Sequence, residues 1–334
     1  MDRATQLELD ALRMLGNKAR REGRTSAAIG YFKDVLRVLP RDFDTLVALG
    51  DLCVKVGDRK DLGISYFSQA LEVEPNNREI ILKRNQLYQE RVRVWHFRMM
   101  NDEVRNQAFY RAIRAAVRKD SVVLDIGTGS GILAMMAAEA GAAHVYTVEV
   151  NSTIGDISRE IIANHGLSDR ITVLSPYYST EVRFGYEMQE RADVLTAELL
   201  GNDTLAENIL SITSDARRRL LKPDAQLIPF KTSVFGILIE SAEAHKLGHV
   251  GSVSGFDLSP FNRLLGERDY GDLISNYAHR LLSEPFELFH FDFRGGEVHD
   301  EEKVIEVMPT ATGTCHLILK WQRIYTDEDN YIDT

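Results

Sequence analysis

Glu198 and Glu207 close the two ends of the run Glu198-Leu199-Leu200-Gly201-Asn202-Asp203-Thr204-Leu205-Ala206-Glu207-Asn208. Just ahead of it, Asp193 to Ala197 reads as a short buried strand, and ligand sites form beyond the C-terminal ends of such strands in parallel sheets. Gly201 and Asn202 allow a hairpin-like loop that brings the two carboxylates together. Two carboxylates facing one pocket suit a guanidinium, which is planar and donates its hydrogen bonds in a fork. The plain alternative is that Glu207 only places negative charge at the start of the helix expected over Asn208 to Leu220.

A second stretch with chemistry in it is Val122-Val123-Leu124-Asp125-Ile126-Gly127-Thr128-Gly129-Ser130-Gly131-Ile132-Leu133. It reads as a buried strand, a glycine turn and the start of a helix that runs from Ile132 to Ala140. Glycines let a backbone come close to a ligand at the strand's end. The next apolar run, Val145 to Val148, ends in Glu149, and an acid there suits the two hydroxyls of a ribose. The spacing Gly127, Gly129, Gly131 departs from the dinucleotide fingerprint G-x-G-x-x-G. Asp125, just before the turn, would repel a pyrophosphate and attract a cationic amino-acid end. A turn that merely connects strand to helix is the bland alternative.

These residues need a sheet to hold them. The run of strand, turn and helix continues with a helix over Ile154 to Asn164 and strands over Ile171 to Leu174 and Asp193 to Ala197, an α/β alternation. Arg217-Arg218-Arg219 reads as the solvated end of a helix, where cations suit the dipole. From Gln226 the pattern becomes β-rich. Gln226 to Ile239, Phe286 to Phe293 and Cys315 to Tyr325 read as strands, with a loop-like Gly251 to Leu265, so a separate β domain is expected.

Ahead of the strand–turn–helix unit lies Trp95-His96-Phe97-Arg98-Met99-Met100-Asn101-Asp102-Glu103-Val104-Arg105-Asn106, which runs into a helix reaching Val117. It reads as a lid over the glycine turn. Arg105 could pair with a ligand carboxylate, although spacing alone favours a solvated helix arginine. Earlier still, the chain repeats itself at a period of about 34 residues. Leu15-Gly16 recurs as Leu49-Gly50, Gly23 as Gly57, Tyr31-Phe32 as Tyr66-Phe67, and Pro40 as Pro75. An extra helix is expected from Asn77 to about Arg91. Such a segment offers either a concave peptide-binding face or a packing and dimerisation platform, and it carries no catalytic constellation.

The chain has 334 residues, 44% of them apolar, enough for a sizeable core and more than one domain. Its net charge of −10 argues against generic nucleic-acid binding and permits a basic protein partner. Cys53 and Cys315 stand far apart, so neither a disulfide framework nor metal spacing follows. Met1-Asp2-Arg3-Ala4 lacks an apolar signal core and no apolar run is long enough for a bilayer, so a cytoplasmic setting is expected, with the nucleus as second choice.

Asp-x-Gly-x-Gly-x-Gly followed by a ribose acid resembles motif I of S-adenosylmethionine-dependent methyltransferases. From Trp95 onward the chain resembles the protein arginine N-methyltransferases, in which the Asp102-Glu103-Val104-Arg105 helix, the glycine turn, Glu149, the paired-glutamate loop and Gly255-Phe256-Asp257 occur in this order. The N-terminal repeats resemble the tetratricopeptide repeat. Together with the wording His96-Phe97-Arg98-Met99-Met100-Asn101-Asp102, they point to the repeat-bearing branch of the family. The resemblance implies tetratricopeptide-like helices over 1–91, a Rossmann-like class I methyltransferase domain over 92–225, and a β-barrel-like substrate domain over 226–334 that is C-terminally incomplete. It implies S-adenosyl-L-methionine as cofactor, an arginine-containing protein as substrate, a partner on the repeats, and a homodimer. His96, Met99 and Arg105 would belong to the helix that closes over the cofactor, with Arg105 on its carboxylate. Asp125, Gly127 and Gly129 would line its methionine part, Glu149 would hold the ribose, and Glu198 and Glu207 would hold the substrate arginine.

The chain departs from the family in two places. Ser179 and Thr180 stand where the family usually has an acid near the adenine, leaving Glu181 as a loose candidate. The family's Thr-His-Trp loop, which follows the strand corresponding to Cys315–Tyr325, does not occur before Thr334. Two rival readings follow: an inactive relative that works as a repeat scaffold, or a methyltransferase acting on a small molecule or nucleic acid. Paired glutamates oppose the last, since each would repel phosphate.

Overall fold

Small residues at a helical spacing let helices approach closely, and the N-terminal segment uses this twice. The computed structural model describes residues 3–56, 60–92, 94–201, 204, 205, 207–264, 274–295 and 302–334. It divides into one unit of Met1–Met99 with Asn151–Ile157, and a second of Met100–Val150 with Ser158–Thr334. The first unit holds α1 (Arg3–Arg21), α2 (Thr25–Val38), α3 (Phe43–Val56), α4 (Lys60–Val73), α5 (Arg78–Arg91) and α6 (Trp95–Met100). Helices α1 and α2 pack as a pair, as do α3 and α4. A Cβ placed on Gly16 would stand 2.8 Å from the Phe32 ring, and one on Gly50 would stand 2.4 Å from the Phe67 ring. The same glycine-against-phenylalanine contact thus recurs in both helix pairs, at the positions where the sequence repeats. Asn77 caps α5 by accepting from the Ile80 N–H, as the start of the extra helix requires. Gly57 lies outside the described residues.

The second unit begins with α7 (Glu103–Ala116), capped by the Asp102 side chain, which accepts from the Arg105 N–H. There follow β1 (Val122–Ile126), α8 (Ile132–Ala140), β2 (His144–Val148), α9 (Ser152–Asn164, in this unit from Ser158 onward), β3 (Ile171–Leu174), β4 (Ala192–Ala197), α10 (Ile209–Arg219) and β5 (Leu221–Ile228). The five strands form a parallel sheet in the order β3-β2-β1-β4-β5. Every residue of β1 is buried, which is why its sequence is a nearly continuous apolar run. The chain moves outward from β1 to β3, then returns to place β4 on the other side of β1. That reversal is the topological switch point at which open α/β sheets bind ligands. In register, Ile126 faces both Val148 and Ala197. Gly127, Glu149 and Glu198 therefore leave the sheet side by side.

The boundary expected at 226 falls inside β5. Gln226 to Ile239 is two strands in two sheets: β5 in the parallel sheet and β6 (Lys231–Glu240) in an antiparallel one. The latter is completed by β9 (Arg280–Leu281), β10 (Phe286–Asp292), β11 (Leu317–Tyr325) and β12 (Tyr331–Asp333), while β7 (Ser252–Val253) and β8 (Phe256–Asp257) form a separate small hairpin. Among the described residues the pairing order β10-β6-β11-β12, with β9 on β6, is an open path and not the closed ring of a barrel. Ile324 and Ile332 share one core with Phe109 and Ile113 of α7, so the antiparallel sheet is continuous with the α/β half.

The reading of Arg217-Arg218-Arg219 as a solvated helix end holds for Arg217 and Arg218, which are exposed, and is corrected for Arg219. Arg219 donates to the carbonyls of Val182 (2.7 Å) and Ser179 (3.0 Å) and pairs with Asp215, tying α10 to the segment after β3. Arg217 donates to the Gly295 carbonyl. Among the described residues no helix is long and apolar enough to cross a membrane.

Candidate active site

The glycine turn is built by backbone hydrogen bonds. The N–H groups of Gly127 and Thr128 both donate to the Val148 carbonyl, at 2.9 and 3.2 Å. Gly127 and Gly129 have φ of 89° and 52°, the left-handed region in which a side chain is strained. A Cβ on Gly127 would stand 2.8 Å from the Leu199 side chain, so the turn lies against the paired-glutamate loop. A Cβ on Gly129 would meet nothing nearer than 4.0 Å, which leaves that face of the turn open to a ligand. Glu149 reaches back to the turn, where its Oε2 accepts from the Gly129 N–H at 3.1 Å. The structure thus joins the two features that the sequence linked only by order.

Asp125 sits elsewhere than the sequence implied. Its carboxylate is fully buried, and its two oxygens accept from the hydroxyls of Thr147 on β2 and Thr196 on β4, each at 2.7 Å. Since Thr147 donates to Asp125, Thr128 in the glycine turn must donate to Thr147, 2.6 Å away. Asp125 therefore brackets three strands and anchors the turn, and its side chain presents no surface to a ligand in this structure. Burial pushes its pKa up to about 7 against the pull of the two threonine hydrogen bonds, and the Glu149 charge adds to the rise. The threonines were missed because nothing in a strand's local pattern marks a hydroxyl as a carboxylate partner.

Arg105 is not a solvated helix arginine. Its guanidinium pairs with Glu198 at 2.6 Å, with the two side chains 10% and 9% exposed. It also donates to Asn106 Oδ1 at 3.1 Å and lies over the Phe109 ring at 5.3 Å. Asn106 is itself fixed by donating to the Met100 carbonyl at 2.8 Å. The residue read as a cofactor clamp and the residue read as half of a substrate clamp thus touch each other.

Glu207 is half-buried in the turn before α10. No hydrogen bond or ion pair described here involves it, and Asn208, not Glu207, occupies the N-cap, with φ of 58°. Asn202, the hairpin residue of the sequence reading, lies outside the described residues. His96 and Met99 are half-buried on α6 of the first unit, where His96 stacks on Trp95 at 3.7 Å. Near the expected adenine position, Glu181 Oε2 accepts from the Tyr178 N–H at 2.8 Å and so closes a turn of its own backbone. Among the described residues no group of His, Cys, Asp or Glu could hold a metal ion.

A parallel sheet reversed at β1, a glycine turn with an acid at the next strand's end, and a flanking antiparallel sheet define a class I methyltransferase fold. The family model for ribosomal protein L11 methyltransferase (PrmA) matches residues 108–246. The chain is similar to the arginine N(omega)-methyltransferase of Streptomyces achromogenes subsp. streptozoticus, 35% identical over 71% of this chain and 65% of that protein. It is similar to protein arginine N-methyltransferase 7 of Oryza sativa subsp. indica, 32% identical over 69% of this chain and 34% of that one. Among solved structures, the PRMT1 enzyme–prozyme heterotetrameric complex of Trypanosoma brucei with AdoHcy matches with a TM-score of 0.59 and 26% identity, covering 72% of this chain and 76% of that one. Arabidopsis thaliana protein arginine methyltransferase 10, at a TM-score of 0.56 and 22% identity over 72% of this chain and 77% of that one, shares the fold. Within the class I methyltransferase fold, the chain is thus similar to arginine methyltransferases, and it spans less than two thirds of the length of the curated relatives it matches.

Proposed function

We propose that the chain transfers a methyl group from S-adenosyl-L-methionine to a guanidino nitrogen of arginine in a protein. The observation that carries this is the Arg105–Glu198 pair: a buried carboxylate beside the glycine turn already holds a guanidinium at 2.6 Å. The cofactor suits the residues present, because Gly129 leaves one face of the turn open and Glu149 stands at its rim.

The bound cofactor would supply a methyl group on a positively charged sulfur. Arg105 takes its carboxylate, Gly127 and Gly129 let the backbone come near, and Glu149 accepts from the ribose hydroxyls. Glu198 and Glu207 hold the substrate guanidinium, whose charge is otherwise spread over three nitrogens. They draw positive charge toward the nitrogens they contact and leave the lone pair of another free for attack. Holding two reactants in line is worth about 7–11 kcal/mol, and carboxylates already oriented toward the growing charge add to it. The attacked nitrogen loses conjugation and becomes acidic, so a strong general base is not required.

Further readings belong with this one. The repeated glycine–phenylalanine contacts of α1–α4 support tetratricopeptide repeats and hence the repeat-bearing branch of the family. The segment from β7 onward exposes Phe256 (71%), Phe261 (67%) and Leu264 (72%), an apolar run that suits a second copy of the chain.

The test is transfer of radiolabelled methyl to a pool of arginine-rich proteins, with the methylarginines separated afterwards. Wild type should label arginine, and Glu207→Gln should lose most turnover while still binding S-adenosylhomocysteine. Binding of that product without any label on arginine would refute the reading.

A further inference from the structure

The loop between the two glutamates is held at its middle by a residue from the other sheet. Gln322 lies on β11, between β6 and β12, and is 2% exposed. Its Nε2 donates to the Gly201 carbonyl at 2.5 Å, and its Oε1 accepts from the Thr204 hydroxyl at 2.7 Å. A backbone carbonyl can only accept, so the amide nitrogen must face Gly201 and the oxygen must face Thr204. The orientation of the amide is thereby set. Thr204 is fully buried, so its hydroxyl cannot turn to water instead. The base is firm as well. The Gln322 N–H donates to Thr334 Oγ1 at 3.1 Å, and its carbonyl accepts from the Thr334 N–H at 3.0 Å.

We propose that Gln322 is a positioning residue for the paired-glutamate loop: its amide pins Gly201 and Thr204 to β11 and so sets where Glu207 stands opposite Glu198. This rests on the arginine-transfer reading. Arg105 fixes the loop's first end through Glu198. Glu207 has no hydrogen bond or ion pair among the described residues, so its place depends on the chain that leads to it. A primary amide suits the task because it offers a donor and an acceptor from one plane. An apolar side chain of similar length would leave the Thr204 hydroxyl buried and unpaired and would release the Gly201 carbonyl.

The experiment uses the full chain with Gln322→Met, Thr204→Val, their double variant and Thr204→Ser. Three readouts are taken: peptide-resolved hydrogen exchange, S-adenosylhomocysteine affinity, and kcat and KM for methyl transfer to an arginine peptide. Gln322→Met and Thr204→Val should speed exchange over residues 199–208 and leave product affinity unchanged. Their kcat should fall on the order of 10²-fold, the scale for misplacing groups by about 1 Å. The double variant should be no worse than either single one, as for groups acting as a unit, and Thr204→Ser should restore kcat. A merely structural role would instead lower melting temperature and product affinity along with kcat. Unchanged exchange over 199–208, or faster exchange with kcat intact, overturns the proposal. If wild type methylates no arginine, the functional reading falls, and exchange alone then decides: faster exchange confined to 199–208 supports the anchor and unchanged exchange refutes it.

Discussion

Glu198 and Glu207 should respond differently to the same substitution, although both are read as halves of one clamp. Glu198→Gln removes the negative partner of a guanidinium that is 10% exposed and only 2.6 Å away. Removing one member of a buried ion pair costs about 3–5 kcal/mol, because the remaining charge is left uncompensated. Arg105 keeps Asn106 Oδ1 at 3.1 Å and the face of Phe109 at 5.3 Å, so a loss of about 3 kcal/mol, the lower end, is expected. Over a unit of this size that corresponds to a drop of about 6–12 °C in melting temperature. Glu207→Gln touches no described partner and should cost about 0.5 kcal/mol or less. The measurement is thermal unfolding of the ligand-free variants, with Arg105→Met and the Arg105→Met/Glu198→Gln double variant completing a cycle. The double variant should lose less than the sum of the single ones, since the second change removes a charge that the first had stranded. Saturating S-adenosylhomocysteine should narrow the gap between Glu198→Gln and wild type, because its carboxylate gives Arg105 a new partner. Equal melting shifts for the two glutamate variants, or additivity in the cycle, would show that the Arg105–Glu198 contact does not carry the energy assigned to it.

Two other outcomes are expected. Gly50→Ala places a methyl group 2.4 Å from the Phe67 ring, which is 1% exposed and has little room to move; it should destabilise the N-terminal helices by about 1–3 kcal/mol, read as earlier loss of helical circular dichroism, and an unchanged melting curve would contradict the close-packing account. Asp125 has its pKa raised from 3.8 to about 7 by burial, so it contributes stability fully present below its unfolded pKa and lost as pH rises through 7; wild type should lose about 4 kcal/mol relative to Asp125→Asn between about pH 4 and pH 8, and parallel pH–stability curves would refute this.

The features legible in the sequence are those whose cause is local. A buried strand, a glycine turn and a helix start lie within a few residues of one another, so composition and spacing reveal them. The order of a buried strand, Glu198 at its end and Glu207 ahead of a helix was legible for the same reason. What escaped is carried by distant partners. Asp125 receives its hydroxyls from Thr147 and Thr196, 22 and 71 positions away, and Gln322 reaches Thr204 across 118. Helix spacing shows which face Arg105 shares with Phe109 but not that Glu198 will meet it. The alternation from Gln226 to Ile239 is equally good in either sheet, and so could not say that β5 belongs to one and β6 to the other.

Register is what turns these separate pieces into a site. Because Ile126 lies opposite both Val148 and Ala197, the next residues on three strands, Gly127, Glu149 and Glu198, emerge side by side. A slip of one residue in either ladder would turn the affected strand's side chains to the opposite face. The Asp125–Thr147–Thr196 bracket spans those same three strands and ties each to its neighbour by a buried hydrogen bond. The buried acid thus ties together the three strands whose ends carry Gly127, Glu149 and Glu198.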